Sequence, residues 1–90
     1  MTKSTGLTAT MEQRLAALDP QRMEITDDSA QHVGHAEARG GGHFSLTIVS
    51  PRFAGLSTVQ RHRAVYQALG PLMQNEIHAL AIRALAPDEL

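Results

Sequence analysis

Histidine is the residue type with the widest chemical reach in this chain. Five of the 90 residues are histidines, against one tyrosine, two phenylalanines, no tryptophan and no cysteine. An imidazole can bind zinc, copper or iron without a thiol, and it exchanges protons near neutrality. Without cysteine the chain can build neither a disulfide framework nor a self-contained Cys-ligated zinc or iron–sulfur site, so a metal must draw on histidine, carboxylate or a partner's ligands. His32-Val33-Gly34-His35 puts two imidazoles three positions apart; alone, that spacing suits solvated polar residues as well as ligands.

The other histidines read differently. His78 falls in phase with Leu80, Ile82 and Ala84, so pattern alone leaves it open between a ligand and a partly buried ring hydrogen-bonded to neighbouring backbone. His62 shares a helical arc with Val59, Val65, Tyr66 and Leu69, which predicts packing with one ring nitrogen satisfied. His43 alternates with Ser45 and Thr47 and belongs on a polar face. Asp27 and Asp28 are adjacent carboxylates at a strand end, sent to opposite faces by alternation, and suit loop capping better than acid–base work. Neither G-x-S-x-G nor G-x-x-x-x-G-K-[ST] occurs, so nothing supports a hydrolase or a nucleotide enzyme. A non-enzymatic binding role, without a small-molecule substrate, is the expectation.

The elements that must position these residues can be read from period and breakers. Thr10-Met11-Glu12-Gln13 fits a capping box, and Met11, Leu15 and Leu18 follow at helical spacing, so a first helix is expected to end before Asp19-Pro20. Residues 23–27 alternate as a half-buried strand, and 43–49 resume that alternation with Phe44, Leu46 and Ile48 on one face. Between them, residues 28–42 carry three consecutive glycines and read as a long exposed loop, mobile until a metal or partner engages it. Ser57-Thr58-Val59-Gln60 is a second capping box opening a helix that Gly70-Pro71 should end, and residues 77–85 form a third strand. A flexible tail over 1–7 and one domain over 8–90 follow. The fold class is α+β, a small mixed three-stranded sheet in the order α-β-β-α-β with helices packed on one face and the other face comparatively open.

Net charge is −1, yet no acidic residue lies between Ala38 and Asn75, where Arg39, Arg52, Arg61 and Arg63 contribute +4. The rest of the chain therefore carries −5, nine acids against Lys3, Arg14, Arg22 and Arg83. Arg52, Arg61 and Arg63 are candidate contacts for an acidic partner or for phosphate, the alternative being ordinary solvated arginines. No apolar run reaches the roughly 20 residues of a membrane span, and the first residues lack a signal-peptide core, so a soluble cytoplasmic protein is expected.

Asp27-Asp28-Ser29, His32, His35, His43-Phe44, Ile48-Val49-Ser50, Phe53-x-Gly55, Arg61-His62-Arg63, Val65-Tyr66, Leu69 and Ile77-His78-Ala79-Leu80 together resemble the BolA family over essentially residues 8 to 87. The resemblance implies a class II KH-like α+β domain that pairs with a monothiol glutaredoxin. In that pairing a bridged [2Fe-2S] cluster takes thiolates from the glutaredoxin and its glutathione and a histidine from near the last strand, which His78 matches. A loop ligand is matched by His32, with His35 as the neighbouring alternative. Gly40-Gly41-Gly42 departs from the family, where many relatives carry a more polar segment. Some BolA-like proteins have also been proposed as DNA-binding regulators. For this chain, that role is opposed by its net charge, few aromatics and the lack of a G-x-x-G loop.

Overall fold

The computed structural model describes residues 6–28 and 42–90. Along the chain run α1 (Gly6–Leu15), extended by a 3-10 turn over Ala16–Leu18, then β1 (Arg22–Asp27) and β2 (Gly42–Val49). A 3-10 turn over Pro51–Phe53, α2 (Thr58–Leu69), the short α3 (Leu72–Asn75), β3 (Ile77–Leu85) and a last 3-10 turn over Pro87–Glu89 follow. The three strands form one sheet in the order β1-β2-β3, antiparallel between β1 and β2 and parallel between β2 and β3. This is the mixed sheet and element order expected from the sequence. The loop expected over 28–42, with His32, His35 and Arg39, lies outside the described residues except at its two ends, and so do residues 1–5 of the expected tail.

Several local expectations hold for the reasons given. Ser57 Oγ accepts from the Gln60 N–H at 3.1 Å while Gln60 Oε1 accepts from the Ser57 N–H at 2.9 Å, so α2 opens on a complete capping box. Gly70, at φ 58° and ψ −133°, ends it in a backbone conformation that a side chain disfavours. The first helix does not begin where expected: it already runs from Gly6, and Thr10 lies inside it with its hydroxyl donating to the Gly6 carbonyl at 2.8 Å. A hydroxyl one turn inside a helix can bond backward instead of capping forward.

One sheet face is covered. Met11 and Leu15 of α1 and Val65 and Leu69 of α2 pack with Phe44, Leu46 and Ile48 of β2, and Phe53, Ile77 and the small Ala86 complete the cluster. Each such large side chain contributes about 1.5–3 kcal/mol of burial. On the opposite face, Glu24 and Thr26 of β1 and Ala79, Ala81 and Arg83 of β3 are exposed.

The face that α2 buries is only partly the expected one: Val65 and Leu69 are fully buried as expected, but the stripe runs on the other side of them. Val59 is 64% exposed and Tyr66 43%, whereas the packed stripe is Arg61, Ala64, Val65, Ala68 and Leu69, at the i, i+3, i+4, i+7, i+8 spacing of a single helix face. Val65 and Leu69 carry this stripe, with Ala64 and Ala68 partly buried beside them; its first position is filled by an arginine.

Candidate functional site at the head of the third strand

A register irregularity sets the geometry of the site. Gly42 is opposite Ile77, but His43 is opposite Ala79, so β3 carries one extra residue, His78, before regular pairing runs from Phe44–Leu80 to Val49–Leu85. Such a bulge puts two successive side chains on one side of a strand. Ile77 is buried, His78 and Ala79 are both exposed, and Leu80 turns back to the covered face. The expectation that His78 shares a face with Leu80 and Ile82 is therefore corrected, and with it the reading of a partly buried ring.

The exposed His78 meets His43, with ring centroids 5.0 Å apart and planes inclined by 43°. His43 is on the polar face as expected, but its place beside His78 could not be seen from either strand alone. Next to them is a shallow depression of about 390 Å³ between β2 and β3, lined by Asp28, His43, Ser45, Ala79 and Ala81 among others. The Asp28 N–H donates to the His43 carbonyl at 2.7 Å, and Asp28 Oδ2 accepts from the Ser45 hydroxyl at 2.6 Å. Asp28 thus ties the end of β1 to β2, while the loop it was expected to cap lies outside the described residues. At the head of β2 a Cβ on Gly42 would stand 2.7 Å from Phe44 Cζ and nearer still to Cε1, so the strand turns into the site only with glycine there.

Among the described residues no three His, Cys, Asp or Glu side chains converge to hold a metal ion. The structure brings His78 together with His43; His32 and His35 lie outside the described residues.

The arginines divide. Arg61 Nε donates to the Leu56 carbonyl at 3.0 Å, Nη1 to the Ala84 carbonyl at 3.0 Å, and Nη1 and Nη2 to the two oxygens of Glu89 at 2.6 and 2.7 Å. Glu89 Oε1 also accepts from the Ala86 N–H at 2.9 Å. This bidentate clamp joins α2 to the end of β3. The hydrogen bonds from Arg61, then that from the Ala86 backbone, hold the Glu89 carboxyl down at about 2, while the Glu89 bond raises the Arg61 guanidinium above its ordinary value. Arg61 is a structural residue, which corrects its assignment as a partner contact. Arg52 bonds Asp19 Oδ2 through Nε and Nη2, each at 2.7 Å, in a solvent-exposed pair, so it too is engaged within the chain. Arg63 has no such ion pair among the described residues. With Val59, His62 and Tyr66 it lines a groove of about 280 Å³ on the outer side of α2, which also corrects the core-packing role expected of His62.

Comparison with known proteins places these features in a family. The family model described as BolA-like protein matches residues 15–89. An uncharacterised protein from the cobS 5' region of Sinorhizobium sp is 42% identical over 93% of this chain and 95% of its own length. SufE-like protein 1 of Arabidopsis thaliana is 44% identical over 81% of the chain, which spans only 21% of that protein. Its solved BolA domain superposes with a TM-score of 0.80 at 39% identity, covering all of both chains. The protein named DNA-binding transcriptional regulator BolA of Vibrio cholerae is 40% identical over 78% of the chain and 64% of its own length.

Proposed function

This chain belongs to the BolA-like protein family, and from that premise we propose that it is a non-enzymatic partner of a monothiol glutaredoxin, sharing a [2Fe-2S] cluster with it for cluster trafficking or iron sensing in the cytoplasm. The observation that carries the reading is the bulge at His78, which leaves an imidazole exposed on the open side of the sheet instead of folded into the core. The donor chemistry suits half of a shared site. This chain offers no thiol and no complete ligand set among its described residues, so the remaining ligands must come from elsewhere. His78 would be the principal ligand and His32 or His35 the second, with thiolates from the glutaredoxin and its glutathione.

Such a cluster, with neutral imidazole in place of thiolate on one iron, would supply electron-transfer chemistry at a raised potential. The chain's own part is to present a deprotonated ring nitrogen, so acid opposes assembly. The groove on α2 offers an exposed apolar side chain and ring beside Arg63, which suits a partner surface carrying a carboxylate next to an apolar residue.

Visible circular dichroism of the two-protein complex reconstituted with iron, sulfide and glutathione tests this. His78→Ala should retain the cluster-free complex but abolish the cluster-bound spectrum, whereas His32→Ala or His35→Ala should alter only its stability or potential. A His78→Ala spectrum identical to wild type refutes the ligand assignment. The name of the Vibrio relative favours a second reading, DNA binding through the outer side of α2. Of the three candidate arginines, Arg61 and Arg52 are bonded within the chain, which leaves Arg63 for a phosphate; measuring duplex affinity against salt at physiological ionic strength separates the two readings.

A further inference from the structure

We propose that the outer edge of β3 pairs antiparallel with the same edge of a second copy of this chain, about a two-fold axis at Ala81, joining the two three-stranded sheets into one. The proposal needs neither a glutaredoxin nor a cluster.

Two bonds fix which way the backbone groups of β3 point. The Ser50 N–H donates to the Leu85 carbonyl at 2.9 Å, so the peptide groups of Leu85 face β2. Successive residues of a strand present theirs to opposite sides, and those of Ala84, Ile82 and Leu80 therefore face away. Arg61 agrees with that direction, donating from α2 to the Ala84 carbonyl at 3.0 Å, and it closes the edge at that end. Among the described residues nothing bonds to the outward N–H and C=O groups of Leu80 and Ile82. Such an unpaired row is a template for another strand, and edges that stay single are commonly short or charged. The opposite edge, β1, is of that kind, with Arg22, Glu24 and Asp27 in six residues. In the nine residues of β3 the only Asp, Glu, Lys or Arg is Arg83.

This edge is complementary to itself in one register. With Ala81 opposite Ala81 of the second copy, Leu80 pairs with Ile82 of the second copy and Ile82 with its Leu80, so every outward group of these residues gains a partner. Those apolar pairs lie on the helix-covered side, where Leu80 and Ile82 are partly buried. Ala81, exposed on the open face, meets its own copy at the narrow Cα spacing of about 4.5 Å, which a methyl group suits. Arg83 comes opposite Ala79 of the second copy, keeping the two guanidinium groups apart. An axis at Arg83 sets them face to face, which is destabilising. At Ile82 the axis runs into the carbonyl that Arg61 already holds, and at Leu80 it reaches the bulge.

Amide hydrogen exchange of the full chain, followed by NMR from dilute solution to about 1 mM, where small interfaces associate, reads the edge directly. Exchange at the Leu80 and Ile82 N–H groups should slow as concentration rises, while Ala81 and Arg83, bonded to β2, stay slow throughout. Sedimentation equilibrium should show the mass moving from one chain toward two. Ala81→Lys and Ala81→Glu should each weaken self-association about fivefold by placing like charges opposite one another, and mixing the two variants should restore it as a heterodimer. A mass that stays at one chain up to about 1 mM, or association that both substitutions leave unchanged, overturns the proposal. So does exchange at Leu80 and Ile82 that is slow at every concentration, the result expected if another segment of the same chain covers the edge. Should the variants not fold by far-ultraviolet circular dichroism, the wild-type exchange decides: concentration-dependent slowing confined to residues outside β3 overturns the proposal equally.

Discussion

Replacing Gly42 with alanine tests the packing that holds the head of β2 against the bulge. The new Cβ would stand 2.7 Å from Phe44 Cζ and nearer to Cε1, far inside van der Waals contact. The ring cannot simply swing aside, because Phe44 is only 5% exposed and packs in the core cluster. Overpacking of this kind costs about 1–3 kcal/mol. Against it, alanine in a strand recovers roughly 0.5–1 kcal/mol that glycine loses in conformational entropy. The clash wins, leaving a net loss of about 1–2 kcal/mol. For a domain of this size that lowers the melting temperature by roughly 4–16 °C. Phe44→Leu removes the ring atoms concerned, so in that background Gly42→Ala should be neutral or stabilising by up to about 1 kcal/mol. The double-mutant cycle, measured by urea denaturation, should therefore show a coupling of about 1–3 kcal/mol. Additive effects, or a Gly42→Ala variant as stable as wild type, would refute the close-approach argument.

Acid should loosen the clamp between α2 and the end of β3. The Glu89 carboxyl is held at about 2 in the fold and takes an ordinary value of about 4.3 when unfolded. Its stabilisation is thus complete above that unfolded value and lost as pH falls from about 4.3 toward 2; thermal melts of wild type and Glu89→Gln should converge across that window. Charge reversal of the two arginines flanking His62 should give opposite results. Arg63→Glu should change stability by under about 0.5 kcal/mol while weakening association with glutaredoxin in a titration. Arg61→Glu should lower the melting temperature, because it sets a second carboxylate against Glu89 and leaves the Leu56 and Ala84 carbonyls without their donor.

How far the sequence could be read depends on whether a feature is local. The bounds of β3, residues 77–85, and the capping box at Ser57 were legible because both depend on neighbours along the chain. Of the buried stripe of α2 only Val65 and Leu69 were. Val59 and Tyr66 are its conspicuous apolar residues, yet both are exposed, and the alanines that face the sheet carry little hydropathy signal. Nothing along the chain distinguishes Arg61 from a free cation, because its partner, Glu89, lies 28 positions away, a separation that no periodicity reports.

The bulge is the instructive case, because its signal was present but ambiguous. Ile77 and Leu80 are both apolar and stand three positions apart, whereas a regular strand returns to one face every second residue. A regular strand would leave one of them facing solvent; burying both requires one extra residue between them. Taking phase from Leu80, Ile82 and Ala84 sends His78 inward and Ile77 outward; taking it from Ile77 sends His78 outward and Ala79 inward. The structure satisfies both by inserting a residue, leaving His78 and Ala79 outside together while Ile77 is 4% exposed. An apolar Ile77 on the outside and an imidazole in the core would each cost free energy, so packing itself drives the exposure of His78. The position is therefore enforced by its neighbours, and it leaves the ring on the open side of the sheet beside His43.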